Sequence, residues 1–292
     1  MEQFTTIAEQ RIWSRKQQQT GETIAFVPTM GALHAGHLSL VRQAKAAASK
    51  TVVSIFVNPT QFDSPDDLSA YPRNLAADVA MLLAEGVDAL YLPTTGEMYP
   101  DGYCTFIEMV GPLTDKLCAV ARPGHFRGVA TVVAKLFGAV QPDIAIFGEK
   151  DLQQVLIISR MASDLNLPVE VRVGATLRDP DGLAMSSRNA RLSPASRAKA
   201  IGLPRGLELA NIAFKEGERS GMTLIEIVAS ELLVHEGVDL DYCDLVKLAG
   251  FKEAEFADDG CILAAAVFVD GVRLIDHVYL GTASLPVNVE ND

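Results

Sequence analysis

The sequence predicts an α/β fold: a Rossmann-like parallel sheet with helices on both faces, followed by a smaller C-terminal α+β domain. Three observations lead there. A β-rich run, Thr23–Val27, ends in a turn of small residues from Pro28 to Gly36 and feeds a helical pattern through Leu38, Leu40, Val41, Ala44 and Ala48. Thr51–Val57 is a near-continuous β-branched apolar run, as a parallel strand buried on both faces requires. After Thr176 the pattern changes to helices and then three β segments, with the hairpin signal Asp270-Gly271 between the last two. The expected division is therefore residues 1–176 and residues 177–292, the second acting as a lid.

Taken in order, residues 1–20 read as a short amphipathic helix around Ile7, Ile12 and Trp13. Strand Thr23–Val27, a helix from about Gly36 to Ser49 and strand Thr51–Val57 make a β-α-β start. Its first turn contains glycine but no G-x-G-x-x-G, so a dinucleotide cofactor is not indicated. Asn58–Arg73 is a polar loop at the carboxyl end of the second strand, the edge where open α/β sheets bind ligands. A helix over Asn74–Glu85 and a strand over Ala89–Leu92 follow. Residues 94–128, rich in Gly and Pro, read as a long excursion with short strands such as Tyr103–Met109. Gly128–Val140 is an apolar helix and Asp143–Phe147 a strand. The turn Gly148–Asp151 enters a helix to about Asp164, and Val169–Thr176 completes the portion. Beyond the linker Arg178–Asn189, helices are expected at 194–217 and 222–235, and strands at 238–247, 262–269 and 272–280. The tail from about Ser284 reads as frayed.

Composition narrows the function classes. At 292 residues the chain is long enough to bury roughly 75% of its unfolded surface. A net charge of −12 argues against a nucleic-acid surface, and any anionic substrate must find a locally basic pocket. Met1–Thr20 lacks the apolar core of a signal peptide, and the longest apolar run, Cys261–Val269, is too short to span a bilayer. Cys104, Cys118, Cys243 and Cys261 are widely spaced with no C-x-x-C pair, as for reduced thiols in the cytoplasm.

The turn after the first strand carries the chemistry. A strand that ends in a small-residue turn and opens a helix offers free backbone N–H groups and a positive helix end to an anion. Here the turn also bears His34 and His37, with Gly36 between them allowing close approach. Read alone, H-x-x-H is as consistent with no function, as a satisfied surface imidazole pair or a metal fragment awaiting a third ligand, as with a functional site. At this junction it points to a nucleotide phosphate. Lys150 lies on a second turn entering a helix; alone, it is as well read as a solvated lysine. Asp151 reads as an N-cap, and Gln154 lies three residues on along the same helix face. There is no G-x-S-x-G elbow or other triad motif.

Pro28–His37 resembles the H-x-G-H signature of the nucleotidyltransferase superfamily. Together with Phe56–Phe62, Tyr71-Pro72-Arg73, Gly124–Gly128, Gly148–Gln154, Asp181–Asn189 and Arg273–Asp276, in that order, it is similar to the pantothenate synthetase family. That resemblance implies an ATP-dependent ligase acting on pantoate and β-alanine through an acyl adenylate, with Mg2+, in a homodimer. His37, His34, Lys150 and Arg188 would be catalytic. Met30, Gly31, Gly36, Gly148, Glu149, Asp151, Leu177, Met185, Ser186 and Ser187 would join them at the nucleotide, Met185–Arg188 matching a K-M-S-K-S loop with alanine at its first lysine. Gln61 and Gln154 would hold pantoate, Met30, Phe62 and Phe147 its dimethyl part, Arg122 would lie near substrate, and Asp78 near Mg2+. Thr60 stands where many relatives carry a larger apolar residue, and His277 where asparagine is common.

Overall fold

The computed structural model describes residues 1–282 and 284–285. The expected frayed tail from Ser284 lies almost wholly outside them. The chain divides into two compact units: one of Met1–Met109 and Arg122–Ala175, the other of Val110–Ala121 and Thr176–Leu285.

In the first unit the elements are β1 (Glu2–Phe4), α1 (Ile7–Gln19), β2 (Ile24–Thr29), α2 (Ala35–Ala47), β3 (Lys50–Ile55), α3 (Pro65–Ala70), α4 (Leu75–Ala84), β4 (Ala89–Tyr91) and α5 (Thr95–Met98). The four-residue helix α6 (Cys118–Ala121) groups with the second unit, and α7 (His125–Val140), β5 (Ile144–Gly148), α8 (Leu152–Asp164) and β6 (Glu170–Gly174) return to the first. Six strands form one parallel sheet in the order β1-β4-β3-β2-β5-β6. The order reverses between β2 and β5, so the chain's topological switch point lies there, and ligands of such sheets bind at the carboxyl ends of those strands.

Pro28 opens that switch point. It sits inside β2, a central strand, where a residue without an N–H is out of place. Pairing of β2 with β3 continues to Thr29↔Ile55, but pairing with β5 stops at Phe26↔Ala145. The ladder on the β5 side ends before the proline, and the histidine turn begins just beyond.

One face of the sheet is covered by α2: Leu40, Val41 and Ala44 pack with Ala25, Val27, Val53, Leu90, Ile144 and Ile146. Gly174 at the end of β6 permits the approach, since a Cβ there would overlap the Leu40 side chain. The N-terminal helix is fixed by a capping box between Thr6 and Glu9.

Two sequence expectations change. Glu2–Phe4, expected within a helix, is strand β1; it pairs parallel with β4 at Glu2↔Ala89, too short a run to show periodicity. Tyr103–Met109 forms no strand. Side chains hold it instead: the rings of Tyr99, Tyr103 and Phe106 stack edge-to-face in series, and Ile107 N–H donates to Thr131 Oγ1.

The second unit adds α9 (Pro194–Ala200), α10 (Gly202–Lys215), α11 (Gly221–Leu232) and the strands β7 (Val238–Lys247), β8 (Lys252–Glu253), β9 (Cys261–Val269) and β10 (Val272–Tyr279). The single helix expected over 194–217 is two, because Pro204 has no N–H to give the Ala200 carbonyl. The strands form an antiparallel sheet in the order β10-β9-β7-β8. Leu203, Leu207, Phe214, Leu224, Val228 and Leu232 from the helices pack on Leu245, Leu263, Ala265 and Val267. Asp270 and Gly271 both have positive φ, the type I′ geometry that closes the β9–β10 hairpin.

Candidate active site

Thr29, at the end of β2, donates its Oγ1–H to the Ser54 carbonyl at 2.7 Å and accepts Gly31 N–H at 3.2 Å. Gly31 has φ +80°, and a Cβ on it would lie 3.0 Å from both Asp78 Oδ2 and Ile55 Cγ2. Only glycine fits that conformation and that gap. Asp78, buried on the first turn of α4, grips the next two residues: Ala32 N–H donates to Oδ2 at 2.9 Å and Leu33 N–H to Oδ1 at 2.8 Å.

The turn then delivers the histidines. His34 is the N-cap of α2, its Nδ1 accepting Gly36 N–H at 3.2 Å. An acceptor at Nδ1 leaves the neutral ring's proton on Nε2. His37 lies one turn on, with its ring centroid 4.1 Å from that of His34. Its Nδ1 is buried and has no hydrogen-bond partner among the described residues. Burial, reinforced by His34, pushes the His37 imidazole down to about 3, so it is neutral at neutral pH. Asp151 and Lys150 also act on that ring, in opposite senses, which places the turn after β5 close to the turn after β2. Lys150 Nζ lies 3.6 Å from Asp151 Oδ1. Two imidazoles, an ammonium and the N-terminus of α2 thus meet at the switch point.

The pantoate candidates Gln61 and Met30 also meet. Gln61 is buried; its Nε2 donates to Met30 Sδ at 3.2 Å and its Oε1 accepts from Asn58 Nδ2 at 3.0 Å. The Gln61 carbonyl accepts from Arg122 Nη2 at 3.3 Å and from His125 Nδ1 at 2.7 Å. Arg122 is clamped on Asp63 at 2.7 and 3.0 Å; burial would raise that carboxyl, but the Arg122 hydrogen bond and charge hold it below its ordinary value. Phe62 stacks edge-on to Tyr71 at 5.7 Å, and Phe147, buried in β5, meets Phe137 at 6.4 Å. Gln154, half-buried on the first turn of α8, makes no side-chain hydrogen bond to the described residues.

Leu177, Met185, Ser186, Ser187 and Arg188 lie in the second unit, on a loop of its own. Met185 N–H donates to the Leu177 carbonyl at 2.9 Å, and Arg178 bridges Ala184 across the loop while pairing with Asp276. Ser186 Oγ caps the 3-10 turn Ser187–Arg191 by accepting Arg188 N–H at 3.2 Å.

The profile of the pantoate-beta-alanine ligase family matches residues 2–279. The chain belongs to this family.

Relatives agree with the family over nearly their whole length. Pantothenate synthetase of Pelotomaculum thermopropionicum is 47% identical over 94% of this chain and 98% of its own; that of Heliobacterium modesticaldum is 46% identical over 95% and 99%. A crystal structure of pantothenate synthetase from Thermus thermophilus superposes with a TM-score of 0.90 at 41% identity, covering 96% of this chain and 100% of that one. Pantoate-beta-alanine ligase from Francisella tularensis, described as complexed with beta-gamma ATP and beta-alanine, gives 0.81 at 33%, covering 96% and 97%.

In this pantoate–β-alanine ligase chain Asp78, which the resemblance places near Mg2+, has a structural part of its own. Both its oxygens already hold backbone N–H groups, and no group of three His, Cys, Asp or Glu side chains suited to a metal occurs among the described residues. Sequence reasoning missed Asn58, whose side chain ties together Thr60, Gln61, Tyr99 and the Gly128 carbonyl. It gave no role to Asp63 or His125. Thr60 donates Oγ1–H to Asn58 Oδ1 at 2.9 Å, a bond no apolar residue could make. No helix among the described residues is long and apolar enough to cross a membrane.

Proposed function

We propose that this chain condenses D-pantoate with β-alanine using ATP, giving pantothenate, AMP and pyrophosphate through an enzyme-bound pantoyl adenylate. The carrying observation is the convergence of His34, His37 and Lys150 at the ends of β2 and β5, with a buried His37 nitrogen left unpaired. Family membership over residues 2–279 supplies the substrate class.

In the first half-reaction the pantoate carboxylate attacks the α-phosphorus and pyrophosphate leaves. A carboxylate is a poor acyl donor, and the adenylate makes it a good one. The chain's part is positioning and charge stabilisation. His34 Nε2–H and the His37 N–H face the charge that grows on the α-phosphate oxygens, where a well-aimed donor is worth about 2.7–4 kcal/mol. Lys150 takes the β- and γ-phosphates, with the backbone of Met30, Gly31, Gly36, Gly148 and Glu149 lining the nucleotide and Asp151 at the ribose. Gln61 and Gln154 bond the acid's hydroxyl and carboxylate groups, Met30, Phe62 and Phe147 line its dimethyl part, and Arg122 braces the Gln61 loop. Residues 177–292 act as the lid, bringing Leu177, Met185, Ser186, Ser187 and Arg188 to the leaving pyrophosphate. The Mg2+ that accompanies a triphosphate is not assigned to Asp78. The homodimer implied by the resemblance belongs to the same proposal, and mass in solution tests it.

Pyrophosphate–ATP isotope exchange with pantoate present and β-alanine omitted tests the reading. Exchange that requires pantoate is the expected result. Protein that binds ATP yet gives neither exchange nor AMP with both substrates would end the pantoate assignment.

A further inference from the structure

The amine that completes the reaction arrives as an ammonium, and forming the amide requires it to lose protons. We infer that His125 Nε2 accepts the proton from the attacking amine in the second half-reaction, in a pocket beside Gln61 that holds the amino acid. This rests on the ligase reading above.

The bond that His125 makes sets its tautomer. Nδ1 lies 2.7 Å from the Gln61 carbonyl oxygen, which can only accept, so Nδ1 carries the hydrogen. The neutral ring must then present a lone pair at Nε2. That nitrogen has no hydrogen-bond partner among the described residues and is not among the sealed, unpaired polar atoms. The ring lines a pocket of about 150 Å³ with Thr60, Gln61, Phe62, Gly124 and Gly128, room enough for a short amino acid.

The ring is also held and electrically prepared. It opens α7 and meets Phe126 edge-on at 4.8 Å. Burial and then Arg122 keep it uncharged, at about 4, while Asp151 and Asp63 favour the charged form. Those carboxylates are the groups that would receive an imidazolium once it forms. Gln61 links this ring to the acid site, because its carbonyl holds His125 while its side chain reaches Met30.

The free ammonium releases one proton to solvent, and the neutral nitrogen bonds to the acyl carbon of the adenylate. Its surplus proton then passes to Nε2. AMP departs with the electron pair of the broken acyl C–O bond, leaving the amide, and His125 returns its proton to solvent. A weak base suits this late transfer, since nitrogen in the adduct is more acidic than the free ammonium.

The test uses His125→Gln in the full chain, with three readouts. Pantoate-dependent pyrophosphate exchange should stay within about threefold of the parent. Single-turnover transfer from preformed pantoyl adenylate to β-alanine should fall by about 10²–10⁴ at pH 7.5, the range for a lost proton acceptor. Transfer to hydroxylamine, which is uncharged at that pH and sheds its proton readily, should fall less than tenfold. Equal losses with both amines would overturn the proposal in favour of a structural role, and an unchanged β-alanine step would overturn it outright. Loss of exchange in both His125→Gln and His125→Asn would also overturn it, by placing His125 before the amine step. Failure of the ligase reading shows separately, as absence of exchange in the parent.

Discussion

A methyl group on Gly31 would lie 3.0 Å from Asp78 Oδ2. The carboxylate is packed under the turn that it holds, and the turn carries both histidines. Asp78→Ala would leave the buried N–H of Leu33 without its acceptor, at about 1–3 kcal/mol, and remove the carboxylate oxygen to which Ala32 N–H donates. Loss of about 1–3 kcal/mol by urea unfolding in metal-free buffer is expected. Stability unchanged without metal would return Asp78 to the magnesium reading.

His37→Ala should lower turnover by about 10²–10³ and change ATP affinity much less, because its donor acts where charge appears only in the transition state. Steady-state rates and equilibrium ATP binding separate the two. An effect confined to affinity would remove His37 from the chemistry.

Acid should destabilise the free protein through two imidazoles. His37 and His125 have an ordinary value of 6.5 and sit at about 3 and about 4 in the fold. Between about 6.5 and 4 the unfolded chain binds more protons, so stability falls as pH falls, by up to about 1.4 kcal/mol per pH unit for each histidine. Urea midpoints at pH 7.5 and 5 should converge in the double variant His37→Gln/His125→Gln. An equally steep fall in that variant would sink the assignment.

Gly128→Ala should be costly although it sits in a helix, where alanine is normally favoured. A Cβ there would overlap the Thr60 carbonyl and lie 2.8 Å from Gln61 Cα. The loop carrying Gln61 must move, so we expect about 1–3 kcal/mol of destabilisation and a raised KM for pantoate. Thermal unfolding together with pantoate saturation curves decides, and a neutral result in both would show that the loop is soft.

Much of this was legible beforehand because the signals are local. A continuous apolar run marks β3, the small-residue turn marks the entry to α2, and Asp270-Gly271 marks the hairpin. The histidines and Lys150 were legible as types at strand ends. What escaped depends on distant partners. Nothing near Asp78 announces that it holds Ala32 and Leu33, 46 and 45 positions away. Asn58 and His125 likewise gain meaning only from the loop folded against them. Tyr103–Met109 misled because aromatic and β-branched residues read as a strand even where they stack on side chains.

The pairing that ends at Phe26↔Ala145 also sets an order of assembly. Ile24 donates its backbone N–H to Asp143 across 119 positions, whereas β2 and β3 are joined by one helix and pair within a few dozen. Loop-closure entropy makes such distant pairing late. As the chain emerges from synthesis, the histidine turn can form beside β3 and under Asp78 long before β5 and Lys150 exist. Competence to hold a triphosphate therefore arrives after the sheet's first half is built, and ATP binding reports the closing of the fold rather than its nucleation.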